Sequence, residues 1–260
     1  MEPKKYIEIG GSVEKALVGE YKISPESVLK EAWTLTKTNK QPIISGLLLV
    51  LLIGMILSFF AFEYMGGAEA VIADPQKQWI INLLATVVLY PFIAGVEMMG
   101  VSHSVGIKTR TGFVFAFLKR SAFIALAAVI VSSLTSLGFY LILPGIYLTV
   151  ALSLTIPLII EKQMSPVQAI ILSLKATRFE WFNLFKIYAM LFALLCLSIL
   201  PWAFGVPSII AMPLFCVAML WLAPMFYNVK GILYREIFGI KMQVVSSDKG
   251  TQSPDSYFSA

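Results

Sequence analysis

The chain has 260 residues, of which 58% are hydrophobic and 13% charged, about half the charged share of a soluble domain. That composition excludes an ordinary water-soluble domain, although the length would suit one or two. The net charge of +5 does not mark a nucleic-acid binder, because the cations flank apolar stretches instead of covering one basic face.

The first 40 residues form a charged leader with a short extended piece expected at residues 6–9. No secretory signal is legible: the first apolar run starts near Pro42, and no small-residue cleavage site follows it. Within the leader, Ser24 suits an N-cap and Pro25 the first helical position. They open a helix that carries Val28, Leu29, Ala32, Trp33 and Leu35 on one face.

Six apolar stretches follow, at residues 42–62, 79–99, 121–143, 146–160, 182–204 and 208–227. A bilayer core needs about 20 apolar residues in helical form, because lipid offers the backbone no hydrogen bonds. The fourth stretch is short. Pro144-Gly145 is the tight turn expected before it, with neighbouring residues extending the helix at the outer surface. Cys196 and Cys216 both fall inside spans and are expected to be small buried hydrophobes, not a disulfide.

Nineteen of the 20 Lys and Arg residues lie in the leader, in the loops after spans two and four, and in the tail. The opposite connections hold Lys77 alone, beside Glu63, Glu69 and Asp74. This asymmetry predicts that both termini are cytosolic.

The pattern also repeats. Spans two, four and six each carry a proline followed by a polar residue at the cytosolic end: Pro91 then Glu97, Pro157 then Glu161, and Pro224 then Asn228. The prolines are 66 and 67 residues apart. Ser165-Pro166 repeats the Ser24-Pro25 start, with capping-box spacing to Gln168 and an apolar face of Val167, Ile170, Ile171 and Leu174. A less regular middle copy spans about 102–120. The expected fold is therefore all-α: a polytopic membrane protein of six transmembrane helices, arranged as three copies of a cytosolic amphipathic helix plus a transmembrane hairpin. Those helices would lie along the inner membrane surface. The expected organisation is a leader (1–23), one membrane domain (24–241; units about 24–100, 101–161 and 162–241) and a disordered cytosolic tail (242–260).

Few residues invite chemistry. His103 is the lone histidine, flanked by Ser102 and Ser104, and neighbouring helical positions point about 100° apart, so the three form no nucleophile–base pair. It is expected to be a solvated boundary group. Glu97 and Glu161 are ionisable groups inside spans and so merit a functional reading. Their place at the cytosolic ends favours interfacial salt bridges, with Lys162 and the basic loops as partners. A proton or cation relay is the competing reading. Pro91, Pro157 and Pro224 are expected to kink or break their helices. No nucleotide, metal or hydrolase motif is present, so no cofactor, metal or catalytic residue is expected.

The stretch Leu143-Pro144-Gly145-Ile146-Tyr147-Leu148, continued by Pro157, Glu161, Ser165-Pro166, Ala169, Ser173 and Phe182, resembles the YciC-like bacterial six-helix membrane proteins. That group has no assigned function and is similar to the membrane domain of some glycerophosphodiester phosphodiesterases. The resemblance implies a bacterial inner membrane and carries over no site residues and no phosphodiesterase chemistry. The expected role is non-enzymatic, through contact with membrane lipids, a membrane-protein partner or a second copy, without nucleic acid. Transport of a small solute or lipid between the three hairpins is the alternative.

Overall fold

The computed structural model describes residues 6–243. A strand β1 (Tyr6–Ile9) and a short helix α1 (Val13–Val18) precede α2 (Pro25–Tyr64). Ser24 accepts the Ser27 amide as N-cap and Pro25 occupies the first turn, so α2 starts where its sequence signals it. The amphipathic stretch and the first apolar span are one element, merged across a kink at Asn39 (φ −126°, ψ 21°) three residues before Pro42. Proline lacks an amide donor and crowds the preceding turn, which accounts for a kink at this place.

A short α3 (Ala68–Ala73) leads to α4 (Pro75–Ser104), capped by Asp74. Two 3₁₀ turns, Thr111–Phe115 and Leu118–Arg120, occupy the position of the expected middle amphipathic helix. The middle copy is thus not an α-helix; its short apolar run, 113–118, is preceded by Gly112 and flanked by cations. Next come α5 (Ser121–Phe139), α6 (Leu143–Ala151), α7 (Thr155–Glu161), α8 (Pro166–Thr177), α9 (Trp181–Ala203) and α10 (Ser208–Phe238). A final strand β2 (Ile240–Gln243) pairs antiparallel with β1, so the extended piece expected at residues 6–9 is present and has a partner. Residues 242 and 243, placed in the disordered tail by sequence, belong to this ribbon. The rest of that tail, 244–260, lies outside the described residues.

Among the described residues, six helical segments are long and apolar enough to cross a membrane: Pro25–Tyr64, Pro75–Ser104, Thr111–Phe139, Leu143–Glu161, Trp181–Ala203 and Ser208–Phe238. The fourth is built from α6 and α7 across an irregular turn, which explains its short apolar run. The turn before it falls at Tyr140–Ile142, where Ile142 takes a left-handed φ of 57°, and not at Pro144-Gly145. Pro144 instead lies in the first turn of α6, where a missing amide is harmless.

The centre of the molecule is the packing of α10 on α4 and α2. Burial is concentrated at one end of these helices. Every residue of α4 from Ala94 to Ser104 is buried, as is every residue of α10 from Asn228 to Tyr234. Their other halves leave Leu84, Val87, Ile209, Ile210, Met212 and Leu214 exposed, joined by Leu51, Met55 and Phe59 of α2. An apolar exterior of that extent suits contact with acyl chains. Cys196 and Cys216 are on this exterior, exposed and unpaired, and not buried as their apolar setting in the sequence implied.

Helix α8 carries the expected capping box: Ser165 accepts the Gln168 amide and the Gln168 side chain accepts the Ser165 amide. Its buried face includes Ala169, Ile170, Leu172, Ser173, Ala176 and Thr177, while Val167 and Ile171 of the expected apolar face are exposed. Small residues allow α8 to approach α6 closely: the Ser173 and Thr177 hydroxyls both donate to the Ala151 carbonyl. The leader is fastened over this region. Tyr21 donates to the Ala176 carbonyl, and burial, reinforced by the charge of Glu180, pushes its hydroxyl pKa well up.

Candidate functional site

The polar residues singled out by the sequence converge on the buried end of α10. Asn228, four residues after Pro224, has no exposed surface. Its side-chain amide donates to the Thr36 hydroxyl of α2 at 3.0 Å. Its carbonyl oxygen therefore faces His103 of α4, at 3.1 Å from Nδ1, and accepts the ring N–H. That leaves His103 Nε2 as acceptor for the Thr109 hydroxyl at 2.9 Å. One chain of hydrogen bonds, Thr36–Asn228–His103–Thr109, thus stitches together α2, α10, α4 and the loop beyond it.

His103 is only 1% exposed, which overturns its reading as a solvated boundary group. The reason is long-range: α10 supplies a complementary amide that nothing near His103 in sequence announces. The flanking serines do not serve the ring. Ser102 donates to the Met98 carbonyl and Ser104 to the Val101 carbonyl, both within α4.

Glu97, six residues after Pro91, is 6% exposed and its Oε1 lies 2.6 Å from the Lys230 amine. The partner comes from α10, not from a basic loop or a surface helix. An ion pair removed from water persists only when geometry and hydrogen bonding offset desolvation, and here the second oxygen, Oε2, has no hydrogen-bond partner. Glu161, four residues after Pro157, is equally enclosed at 5%. It accepts the Tyr234 hydroxyl at 2.8 Å and the Lys241 backbone amide at 3.0 Å, and lies 3.1 Å from the Lys162 amine. The expected Lys162 pairing is present, but Glu161 also pins β2 to the bundle.

A further pair closes the leader side. Arg235 of α10 makes a two-pronged contact with Glu31 of α2 at 2.7 and 2.9 Å and also donates to the Ser104 carbonyl. Its remaining donors reach Glu236. The leader's Gly10 and Gly11 press on the backbone of the same turn, and the Gly11 amide donates to the Arg235 carbonyl.

Close approach makes this arrangement possible. A Cβ on Gly100 would strike the Tyr227 carbonyl, and one on Gly231 would strike the Gly100 carbonyl. Helices α4 and α10 therefore cross backbone against backbone at two glycines. The sequence hides them, because Gly100 and Gly231 sit on different helices and form no small-xxx-small motif. Lys230, Tyr234, Arg235, Glu31, Thr36 and Thr109 were equally illegible as site residues; each is defined by a partner far along the chain.

The three prolines are all buried, and two do not break their helices: α4 continues through Pro91 and α10 through Pro224. Pro157 lies near the start of α7, just after the α6–α7 break. Among the described residues, no three His, Cys, Asp or Glu side chains gather as metal ligands. The paired groups hold one another: every polar tip in the Asn228 chain is already bonded to a neighbour.

Comparison with protein-family models, with curated proteins and with solved structures finds no match.

Proposed function

We propose that the chain is a multi-pass protein of a bacterial inner membrane, with both termini cytosolic. It works without catalysis, through contact with lipids or a membrane-protein partner, in envelope maintenance or membrane organisation. The orientation rests on the charge asymmetry, Lys77 alone against nineteen other cations. The likeness of residues 143–182 to the YciC-like group agrees with this placement.

One observation carries the functional reading: the charged end of the bundle is closed by the Gly100–Gly231 crossing. Around that crossing, Glu97, His103, Asn228 and Arg235 are committed to partners on neighbouring helices. A central path would need those groups free or hydrated. The extensive surface is instead apolar and faces outward.

We also infer descent from a threefold unit. In its favour, Ser24-Pro25 and Ser165-Pro166 both act as N-cap and first-turn proline. Glu97, Glu161 and Asn228 follow their prolines as buried polar anchors, and both carboxylates reach residues of α10.

The alternative is transport of a small solute or lipid between the hairpins, and its proton form, a relay through Glu97, has a direct test. The purified chain is reconstituted in vesicles holding a pH-sensitive dye, and a potassium diffusion potential is imposed. The proposed role predicts proton entry no faster than in protein-free vesicles. Entry that depends on Glu97, and is lost in Glu97→Gln, would establish a relay instead.

A further inference from the structure

Residues 121–160 include no Asp, Glu, Lys, Arg or His, so the α5–α6 hairpin and its turn are built without a charge. At the turn, Tyr140, Leu141, Ile142 and Leu143 are all exposed, Leu143 to 77%. The Tyr140 hydroxyl is the only polar side-chain group between Leu137 and Ile146. Turns that face water draw on polar residues, and the first hairpin does so with Glu63, Glu69 and Asp74. The second hairpin does not.

Its backbone is closed in the way lipid requires. The amides of Tyr140, Leu141 and Ile142 donate to the carbonyls of Leu137, Gly138 and Phe139, and Pro144 has no amide to satisfy. The Leu143 amide donates to the Leu141 carbonyl at 2.7 Å, a γ-turn that holds Ile142 at φ 57° and ψ −67°. That backbone is strained for a β-branched residue. In water the Leu143 amide would have solvent to bond; in hydrocarbon it must find an acceptor within the chain. Directly below, a Cβ on Gly138 would strike the Gly145 backbone, so the two legs leave no room for water between them.

Length agrees with immersion. The Arg120 guanidinium donates to the Ile159 carbonyl and ties the two legs together at the basic end. From there α5, with 19 residues, rises about 28 Å, against a hydrocarbon core about 30 Å thick. Helix α9, with 23 residues, rises about 34 Å and clears the same core.

We propose that the α5–α6 turn ends inside the outer leaflet and that lipid acyl chains close over it, with the Tyr140 hydroxyl at headgroup level. The inference rests on the lipid-contact role above and gives that role a place. A hairpin that stops short is a low point over which outer-leaflet lipids must bend or thin, a direct means of organising the membrane.

The test measures depth in the full chain, reconstituted in vesicles of dioleoyl phosphatidylethanolamine and phosphatidylglycerol, with Cys196 and Cys216 replaced by Ala. Leu141→Cys, Leu143→Cys and, as the reference in the charged first hairpin, Glu69→Cys each carry a nitroxide; all three positions are exposed. Collisions with oxygen, which concentrates in hydrocarbon, are compared with collisions with a water-soluble nickel chelate. The expected ratio of oxygen to nickel collisions is severalfold higher at 141 and 143 than at 69. Nickel access at 141 and 143 equal to that at 69 would put the turn in water and overturn the proposal. Exclusion of both reagents would mean that protein covers the turn, and overturns it too; spectral broadening between nitroxides would then identify a second copy as the cover. Depth at this turn is independent of proton entry into vesicles, so failure here is separable from failure of the functional reading.

Discussion

Gly231 of α10 packs on the backbone of Gly100 of α4, whose carbonyl leaves no room for a Cβ on Gly231, while the Tyr227 carbonyl leaves none for a Cβ on Gly100. This crossing sets the spacing at which Asn228 reaches His103 and Lys230 reaches Glu97. A methyl group at either glycine must push two buried helices apart, since the clashing atoms are main-chain carbonyls. Gly100→Ala and Gly231→Ala are each expected to destabilise by more than about 3 kcal/mol, the range of severe overpacking. Gly112→Ala, where open space surrounds the added methyl, is the matched control and should be near neutral. Thermal unfolding in detergent, followed by circular dichroism or a tryptophan signal, checks all three.

Asn228 holds two helices through one amide. Asn228→Leu removes both bonds and leaves the His103 ring N–H and the Thr36 hydroxyl facing an apolar side chain. The expected loss is about 1–3 kcal/mol, the scale of stranding buried polar groups. Thr109→Val, which touches only the outer end of the chain, should cost about 1 kcal/mol or less. A reversed ranking in thermal stability would mean that the hydrogen-bond chain is not held from α10.

The Glu97–Lys230 pair predicts a non-additive cycle. Lys230→Met alone strands a buried carboxylate and should cost about 3–5 kcal/mol. Pairing it with Glu97→Leu removes both charges and should restore most of that loss, because apolar replacement of a buried ion pair is often neutral. Additive losses would show that the two side chains do not face one another.

These residues mark the boundary of what the sequence discloses. The six spans are legible because lipid imposes a simple rule on length and polarity, which residues 79–99 and 208–227 obey locally. The caps at Ser24 and Ser165 are legible for the same reason: an N-cap interacts with amides three residues away. Glu97, Glu161, Asn228 and His103 stand out as polar residues in apolar surroundings. Their partners do not, since Asn228 and Thr36 are 192 positions apart and Glu161 and Tyr234 are 73. The packed face of α8 is not announced by its apolar stripe, because Ala169, Ser173 and Ala176 lie on it and their small size, not their hydrophobicity, suits close packing. Of the kink or break expected at Pro91 and Pro224, a break is absent: α4 and α10 run through both prolines.

Tyr21 gives the leader a pH dependence. Burial raises its folded pKa above the ordinary tyrosine value, so its contribution to docking is fully present below about pH 10 and is lost as pH rises further. Protection of the α1 amides, measured against their intrinsic exchange rate at each pH, should therefore fall in the native chain at alkaline pH. The Tyr21→Phe chain lacks the donor to Ala176 and should start with weaker protection and show less change over the same range.

The central claim is a six-span chain whose polar clasp lies at the cytosolic face. Thiol labelling of intact cells tests it most directly, in a Cys196→Ala/Cys216→Ala background that removes both native thiols. Single cysteines are placed at Glu69 in α3, before α4, and at Gly112 in the 3₁₀ segment after α4, both exposed. A membrane-impermeant maleimide is expected to label the cysteine at 69 in intact cells, and the one at 112 only after the membrane is opened. Labelling in the opposite order would place the clasp outside and contradict the account.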